Sequence, residues 1–349
     1  MIYLDSAATT MQKPPEVFRA MRKVGRFGGA GRGGHHAAMA AAQAIYDCRE
    51  LACDMFGASS PERVILTSNA THALNIAVKT LVKPHSTVLT TGYEHNAVAR
   101  PLHALNVATT TVPTDRVDAI VWTHVSNVFG TVFPVEPVAE LAKKRGIPLI
   151  IDAAQSAGIL SLDAEKLGAV LCMPGHKALY GPQGTGLLIV PSYVELTPLI
   201  QGGTGSSSLS LDMPNSLPDS LEAGTQNAWG AAGLAEGLRY VQKRGTEDLR
   251  AVETRLLTEA INQLAGFATL YTSKLQCGVL SMTFPGMDVE DIAARLSEQN
   301  IAVRAGLQCA PTAHRTMNTL PGTLRVSFSA FNTIAEVRKF AKILRSVLT

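Results

Sequence analysis

Pro148-Leu149-Ile150-Ile151-Asp152-Ala153-Ala154-Gln155 reads as a buried strand that ends on a carboxylate, and Met173-Pro174-Gly175-His176-Lys177-Ala178-Leu179-Tyr180-Gly181-Pro182 as a glycine- and proline-bent loop that presents an amine. The apolar run buries the backbone of Asp152 and leaves its side chain at the rim of a sheet. A carboxylate in such a place is destabilising without a partner. Lys177 lies in a segment of low helical propensity, open to a ligand. Each residue alone has an ordinary explanation: a loop lysine is usually a solvated charge, and an aspartate after a strand can cap a helix, here over Ala153 to Ala157.

Outward from these stretches, strand-like and helical patterns alternate. Arg63 to Thr67, Ser86 to Thr90, Asp118 to Thr123, Ala169 to Met173 and Thr185 to Val190 read as strands, and Ala70 to Leu81 and Val135 to Arg145 as helices. This rhythm predicts an α/β architecture with a mostly parallel sheet whose ligands bind beyond the carboxyl ends of the strands. Ser68, His95, Asn127, Asp152 and Lys177 all fall at or after such ends. Gln201 to Ser210 is a glycine- and serine-rich loop. Helices over Asn227 to Gln242 and Thr246 to Leu264 follow, then strands at Cys277 to Phe284, Ile301 to Arg304 and Thr323 to Phe328, and helices over Val289 to Gln299 and Thr333 to Val347. In the last helix Ile334, Val337, Phe340, Ile343, Leu344 and Val347 mark one apolar face. The division expected is a large domain over 14–239 and a smaller α+β domain made of 1–13 and 240–349.

Composition bounds the function. The chain has 349 residues, 46% hydrophobic and 17% charged, with a net charge of +3, an ordinary globular balance. Lys and Arg are scattered without long runs, so there is no electrostatic footprint for nucleic acid. No apolar segment is long enough to span a bilayer and the start lacks a secretory pattern, which predicts a soluble, cytoplasmic protein. Cys48, Cys53, Cys172, Cys277 and Cys309 form no close pairs, which argues against a disulfide framework and against a metal site. The first four read as small buried hydrophobes.

Lys177 and Asp152 together are the minimum protein equipment for pyridoxal phosphate chemistry: an amine that forms a Schiff base and an acid that pairs with a pyridine nitrogen. Gln155 is within reach of the cofactor's phenolic oxygen. The strand-to-helix joint Ser68-Asn69-Ala70-Thr71-His72-Ala73-Leu74-Asn75 offers the free N–H groups of Ala70 and Thr71, with a hydroxyl of Thr71 or Ser68, as an anion site. His95, in Tyr93-Glu94-His95-Asn96, opens the next helix and can stack on a planar ring. Arg325, in Thr323-Leu324-Arg325-Val326-Ser327-Phe328, can clasp a carboxylate or face water. Arg32 sits in Gly28-Gly29-Ala30-Gly31-Arg32-Gly33-Gly34-His35, where the backbone is unusually free. Cys309 lies in the loop Val303-Arg304-Ala305-Gly306-Leu307-Gln308-Cys309-Ala310-Pro311. As a thiolate it is a nucleophile, with Arg304 and His314 as candidate sources of positive charge; the plain alternative is an inert thiol.

In combination these segments resemble the cysteine desulfurase family, the class V branch of the aminotransferase superfamily, over nearly the whole chain. Tyr3-Leu4-Asp5-Ser6-Ala7-Ala8-Thr9-Thr10, Arg32-Gly33-Gly34-His35, Glu94-His95-Asn96, Thr123-His124-Val125-Ser126-Asn127-Val128-Phe129-Gly130-Thr131, Asp152-Ala153-Ala154-Gln155, Gly175-His176-Lys177 and Arg325 are similar to its motifs. The resemblance implies the fold type I pyridoxal phosphate architecture, with Lys177 as Schiff-base lysine, Asp152 on the pyridine nitrogen and His95 stacked on the ring. It also implies Asn127, Arg325 and Arg32 toward the substrate, and Ala70, Thr71, Gln155 and His176 around the cofactor. Glu222-Ala223-Gly224-Thr225-Gln226-Asn227 resembles the segment whose threonine reaches the cofactor phosphate of the neighbouring subunit, which implies a homodimer with shared active sites.

The activity implied is conversion of L-cysteine to L-alanine, with the sulfur held on Cys309 as a persulfide before it passes to an acceptor the sequence does not name. Alternatives are a selenocysteine lyase, another class V lyase or aminotransferase, and a non-catalytic scaffold, against which Lys177 and Asp152 both speak. The chain departs from the family pattern at Pro174, where relatives place a serine or threonine, at Gln308, where those closest around the cysteine often place a histidine, and over Asn106 to Asp118, which is shortened.

Overall fold

The computed structural model describes residues 1–27 and 33–348. Its main sheet has seven strands in the order Val64–Thr67, Gly186–Ile189, Val170–Pro174, Leu149–Asp152, Ala119–Thr123, Thr87–Leu89, Ala108–Thr110. Neighbours run parallel except Gly186–Ile189, which is antiparallel to both of its partners. Side chains alternate between two cores. Leu149 and Ile151 join the core shared with His36–Phe56, Glu136–Arg145 and Ala228–Arg244, whereas Ile150 joins the one shared with Ala70–Leu81 and Asn96–Ala104. A strand covered on both faces needs an unbroken apolar run, and this one has it. Burying each Leu or Ile contributes about 1.5–3 kcal/mol, so the register of the run is firmly set. By the same alternation Asp152 falls on the Ile150 side. That is the face against which Ala70–Leu81 packs, across strands Leu149–Asp152, Val170–Pro174 and Gly186–Ile189.

A third core gathers Thr246–Leu264, Val289–Glu298 and Ile334–Leu348 around the antiparallel strands Leu324–Ser327, Val279–Thr283 and Thr269–Tyr271. The start of the chain belongs to it: Ile2–Tyr3 pairs in parallel with Ile301–Ala302, and Ile2 and Leu4 are buried there. In the last helix Val337, Phe340 and Leu344 are buried and Ile334, Ile343 and Val347 pack at the core's margin, the face the spacing predicts. Pro15–Val24, Ala108–Thr110, Thr269–Tyr271 and Pro311–Thr316 are elements the periodicity left unread. Three are six residues or shorter, too brief for a period to register; the fourth, Pro15–Val24, is ten residues, opened by prolines and rich in charge. Ala108–Thr110 matters because a sheet strand persists within the shortened stretch after Asn106. Among the described residues no helix is long and apolar enough to cross a membrane.

Candidate active site

At the carboxyl ends of the central strands a cavity of about 190 Å3 is lined by Ala70, Thr71, His95, Asn127, Asp152, Gln155, Pro174, His176 and Lys177, among others. No helix follows Asp152; the chain turns, and Asp152 Oδ1 accepts the Ala154 N–H at 2.9 Å. The capping explanation of this residue therefore fails. Burial raises the Asp152 pKa, opposed by that hydrogen bond and by Lys177, and among the described residues no ion pair reaches it. A fully buried carboxyl with no fixed cation matches a protonated ring nitrogen.

The lysine loop is clamped from the start of the chain. The Thr10 N–H donates to the His176 carbonyl at 3.1 Å, and its hydroxyl donates to the carbonyls of His176 and Lys177 at 3.0 and 3.1 Å. Burial lowers the Lys177 pKa to about 8, with the Asp152 carboxylate acting in the other direction. His176 Nδ1 lies 3.0 Å from Thr9 Oγ1, and burial lowers its pKa to about 4.

His95 closes the far side. Its Nδ1 accepts the Ala97 N–H at 3.0 Å as cap of Asn96–Ala104. Burial, with Lys177 next, lowers its pKa to about 4, which keeps the ring neutral and apolar enough to lie against an aromatic ring. Asn69 caps Ala70–Leu81 by accepting the His72 N–H at 2.9 Å, so the Ala70 and Thr71 N–H groups at the positive end of a twelve-residue helix remain for an anion. Gln155 Nε2 donates to the Ala7 carbonyl at 2.9 Å, which leaves its other N–H for a ligand in the cavity it lines. Taken together, a half-buried amine, a buried acid, a neutral imidazole face and a helix start with free N–H groups fit pyridoxal phosphate.

Arg325 is only 2% exposed, and neither alternative of clasping or facing water describes it fully. Its Nη2 lies 2.6 Å from Asp5 Oδ1, its Nη1 donates to the Asn127 carbonyl at 2.8 Å, and its Nε is buried without a partner. Asp5, in the opening motif, thus acts as the arginine's resting counterion, a role its sequence neighbours do not reveal. Cys309 is exposed, and Cys48, Cys53, Cys172 and Cys277 are buried. The Cys309 carbonyl accepts the Asn96 N–H at 2.8 Å, next to His95. His314 is corrected as a source of charge: its side chain is buried, and burial lowers its pKa.

Thr225 lines a different cavity, of about 380 Å3, with Ser68, His72 and Glu222. Its segment is anchored by a buried bidentate pair, Arg49 Nη1 and Nη2 to the two Glu222 oxygens at 2.8 and 2.6 Å. Glu222 also accepts the Leu66 N–H at 2.6 Å. Arg32 lies outside the described residues.

The mixed sheet, the lysine loop at its carboxyl edge and the cavity between them define the class of fold type I pyridoxal phosphate enzymes. The aminotransferase class-V model matches residues 2–115 and 108–340. A probable cysteine desulfurase of Methanothermobacter thermautotrophicus is 30% identical over 99% of this chain and 94% of its own length. One from Mycolicibacterium paratuberculosis is 32% identical over 99% of this chain, which spans 55% of that relative. The apo cysteine desulfurase of Thermococcus onnurineus NA1 superposes with a TM-score of 0.92 at 29% identity, covering 99% of this chain and 94% of that one. This chain belongs to the aminotransferase class-V family, and within it to the cysteine desulfurase family.

Proposed function

We propose that this chain is a pyridoxal phosphate-dependent cysteine desulfurase that acts on L-cysteine, releases L-alanine and carries the sulfur on Cys309 as a persulfide, working as a homodimer in which Thr225 serves the partner's site. The observation that carries the reading is Cys309: it is exposed, and its carbonyl is tied to the Asn96 N–H beside the cavity that Lys177, Asp152 and His95 line. A buried inert thiol would have favoured a transaminase or another lyase.

Lys177, Asp152, His95, Ala70 and Thr71 would hold pyridoxal phosphate, which when bound joins the substrate amine and delocalises the electrons released at its α-carbon. Lys177 Nζ, once free, takes the proton from the substrate Cα and returns it to carbon as alanine forms. Its lowered pKa suits both halves of that task. Arg325 turns its guanidinium from Asp5 toward the substrate carboxylate, and Asn127 borders the same space. Cys309 Sγ attacks the substrate sulfur, the Cβ–S bond breaks with its electron pair left on carbon, and the proton given up by the Cys309 thiol ends on Cβ, so that the products are alanine and Cys309–S–SH. The two sulfurs are each oxidised by one electron and Cβ is reduced by two.

The test is incubation of purified holoenzyme with L-cysteine, reading alanine, sulfide and protein-bound persulfide together. Cys309→Ala is expected to keep cofactor and substrate binding and to lose sulfur release and persulfide. Wild-type desulfuration by that variant, with persulfide elsewhere or nowhere, would reject the role of Cys309.

A further inference from the structure

Gln308 and Cys309 are consecutive non-glycine residues with φ of 41° and 58°, a left-handed pair that L-residues abandon unless their surroundings hold them. Both backbone carbonyls are held. Asn127 Nδ2 donates to the Gln308 carbonyl at 2.8 Å, and the Asn96 N–H donates to the Cys309 carbonyl at 2.8 Å.

The Gln308 side chain is packed into the protein while its neighbour is open: Gln308 is 7% exposed, and Cys309 is exposed. Its Nε2 donates to the Thr323 carbonyl at 2.8 Å, and its Oε1 lies 3.1 Å from His314 Nε2. The other His314 nitrogen lies 2.8 Å from Thr319 Oγ1. A neutral imidazole that accepts from Thr319 presents its N–H to Gln308. The amide head therefore meets a carbonyl that only accepts and a ring N–H that only donates. A carboxylate lacks the donor that Thr323 requires, and a thioether lacks both groups.

We propose that Gln308 is a positioning residue: its side chain, locked between Thr323 and His314, holds the left-handed turn over 308–309 and thereby sets the direction of Cys309 Sγ. The consequence for turnover rests on the desulfurase reading, whereas the geometric claim about the thiol does not.

The test compares Gln308→Met and Gln308→Glu, both close in size to glutamine, with wild-type holoenzyme. Cys309 alkylation by iodoacetamide is timed by mass spectrometry, kcat and KM for L-cysteine are measured separately, and cofactor absorbance is recorded. In both variants cofactor absorbance and KM stay within about threefold of wild type, while kcat falls by at least about tenfold and the alkylation rate of Cys309 shifts by about threefold or more. Wild-type kcat and alkylation in both variants overturn the proposal. A loss spread evenly over cofactor binding, KM and alkylation also overturns it, because that marks a general structural role. If the wild-type protein makes no alanine from L-cysteine, the function proposed above fails, and the alkylation arm still decides whether Gln308 positions Cys309.

Discussion

Lys177 is the residue on which the site's protonation turns. Burial lowers its pKa from the ordinary lysine value to about 8, which gives roughly 300-fold more free amine at pH 7 than an exposed lysine has. His95 and His176, both lowered to about 4 by burial, stay neutral across the neutral range and add no second step. Uptake of pyridoxal phosphate by the apoprotein, followed as growth of visible absorbance, is expected to rise about tenfold per pH unit toward pH 8 and to level off above it. Lys177→Ala develops no such absorbance. A rate still climbing at pH 10 would contradict the buried environment. The residue types at this site were readable in advance because Lys177, Asp152 and His95 are announced by local pattern: an apolar run, a bent loop, a helix start. The partner of Arg325 was not, since Asp5 lies 320 positions away.

At the scale of elements, the helix Ala228–Arg244 decides where the lysine loop rests. Gly237 lies against the loop so closely that a Cβ there would meet the Leu179 carbonyl oxygen at 2.2 Å and the Gly181 nitrogen at 2.9 Å. Helix propensity favours alanine over glycine by about 1 kcal/mol. The clash is with backbone, however, and overpacking of that kind costs about 1–3 kcal/mol. Gly237→Ala is thus expected to lower stability in chemical denaturation and to weaken cofactor retention by displacing the loop that carries Lys177. A variant more stable than wild type, with unchanged cofactor binding, would show that helix and loop part freely. The helix itself was legible from its period; the need for glycine at that turn was not, because it depends on what the helix touches.

At the scale of the molecule, two consequences separate the lobes and the subunits. Glu253, on Thr246–Leu264, is buried, accepts the Gly278 N–H at 3.2 Å and borders a small cavity of about 20 Å3 with Lys177, Tyr180 and Cys277. Burial raises its pKa to about 8, and the neighbouring Cys277 thiol, pushed up to about 12, stays neutral. The unfolded carboxyl loses its proton in the ordinary glutamate range and the folded one near 8, so the folded state binds more protons between them. Stability falls as pH rises through that window, by up to about 1.4 kcal/mol per unit. Glu253→Gln is expected to remove this slope and to exceed wild type in denaturant midpoint at pH 8; parallel profiles for the two proteins would refute the buried, protonated carboxyl. For the homodimer proposed above, Thr225→Ala and Lys177→Ala are each expected to be impaired alone and to recover activity when mixed, because one site of each mixed dimer would then hold both intact residues. No recovery after subunit exchange would place Thr225 in its own chain's site.

The sequence by itself determined the α/β alternation, the positions of Asp152 and Lys177 at strand ends, the helix start at Ala70 and the single exposed cysteine, because periodicity, turn chemistry and helix ends are local properties of neighbouring residues. Only the tertiary structure decided that Asp5 meets Arg325, that Arg49 meets Glu222 across 173 positions and that Asn127 holds the Gln308 carbonyl across 181. Such pairings depend on sheet register and on how the cores dock, and a buried polar group takes whichever distant partner that docking brings within hydrogen-bond reach.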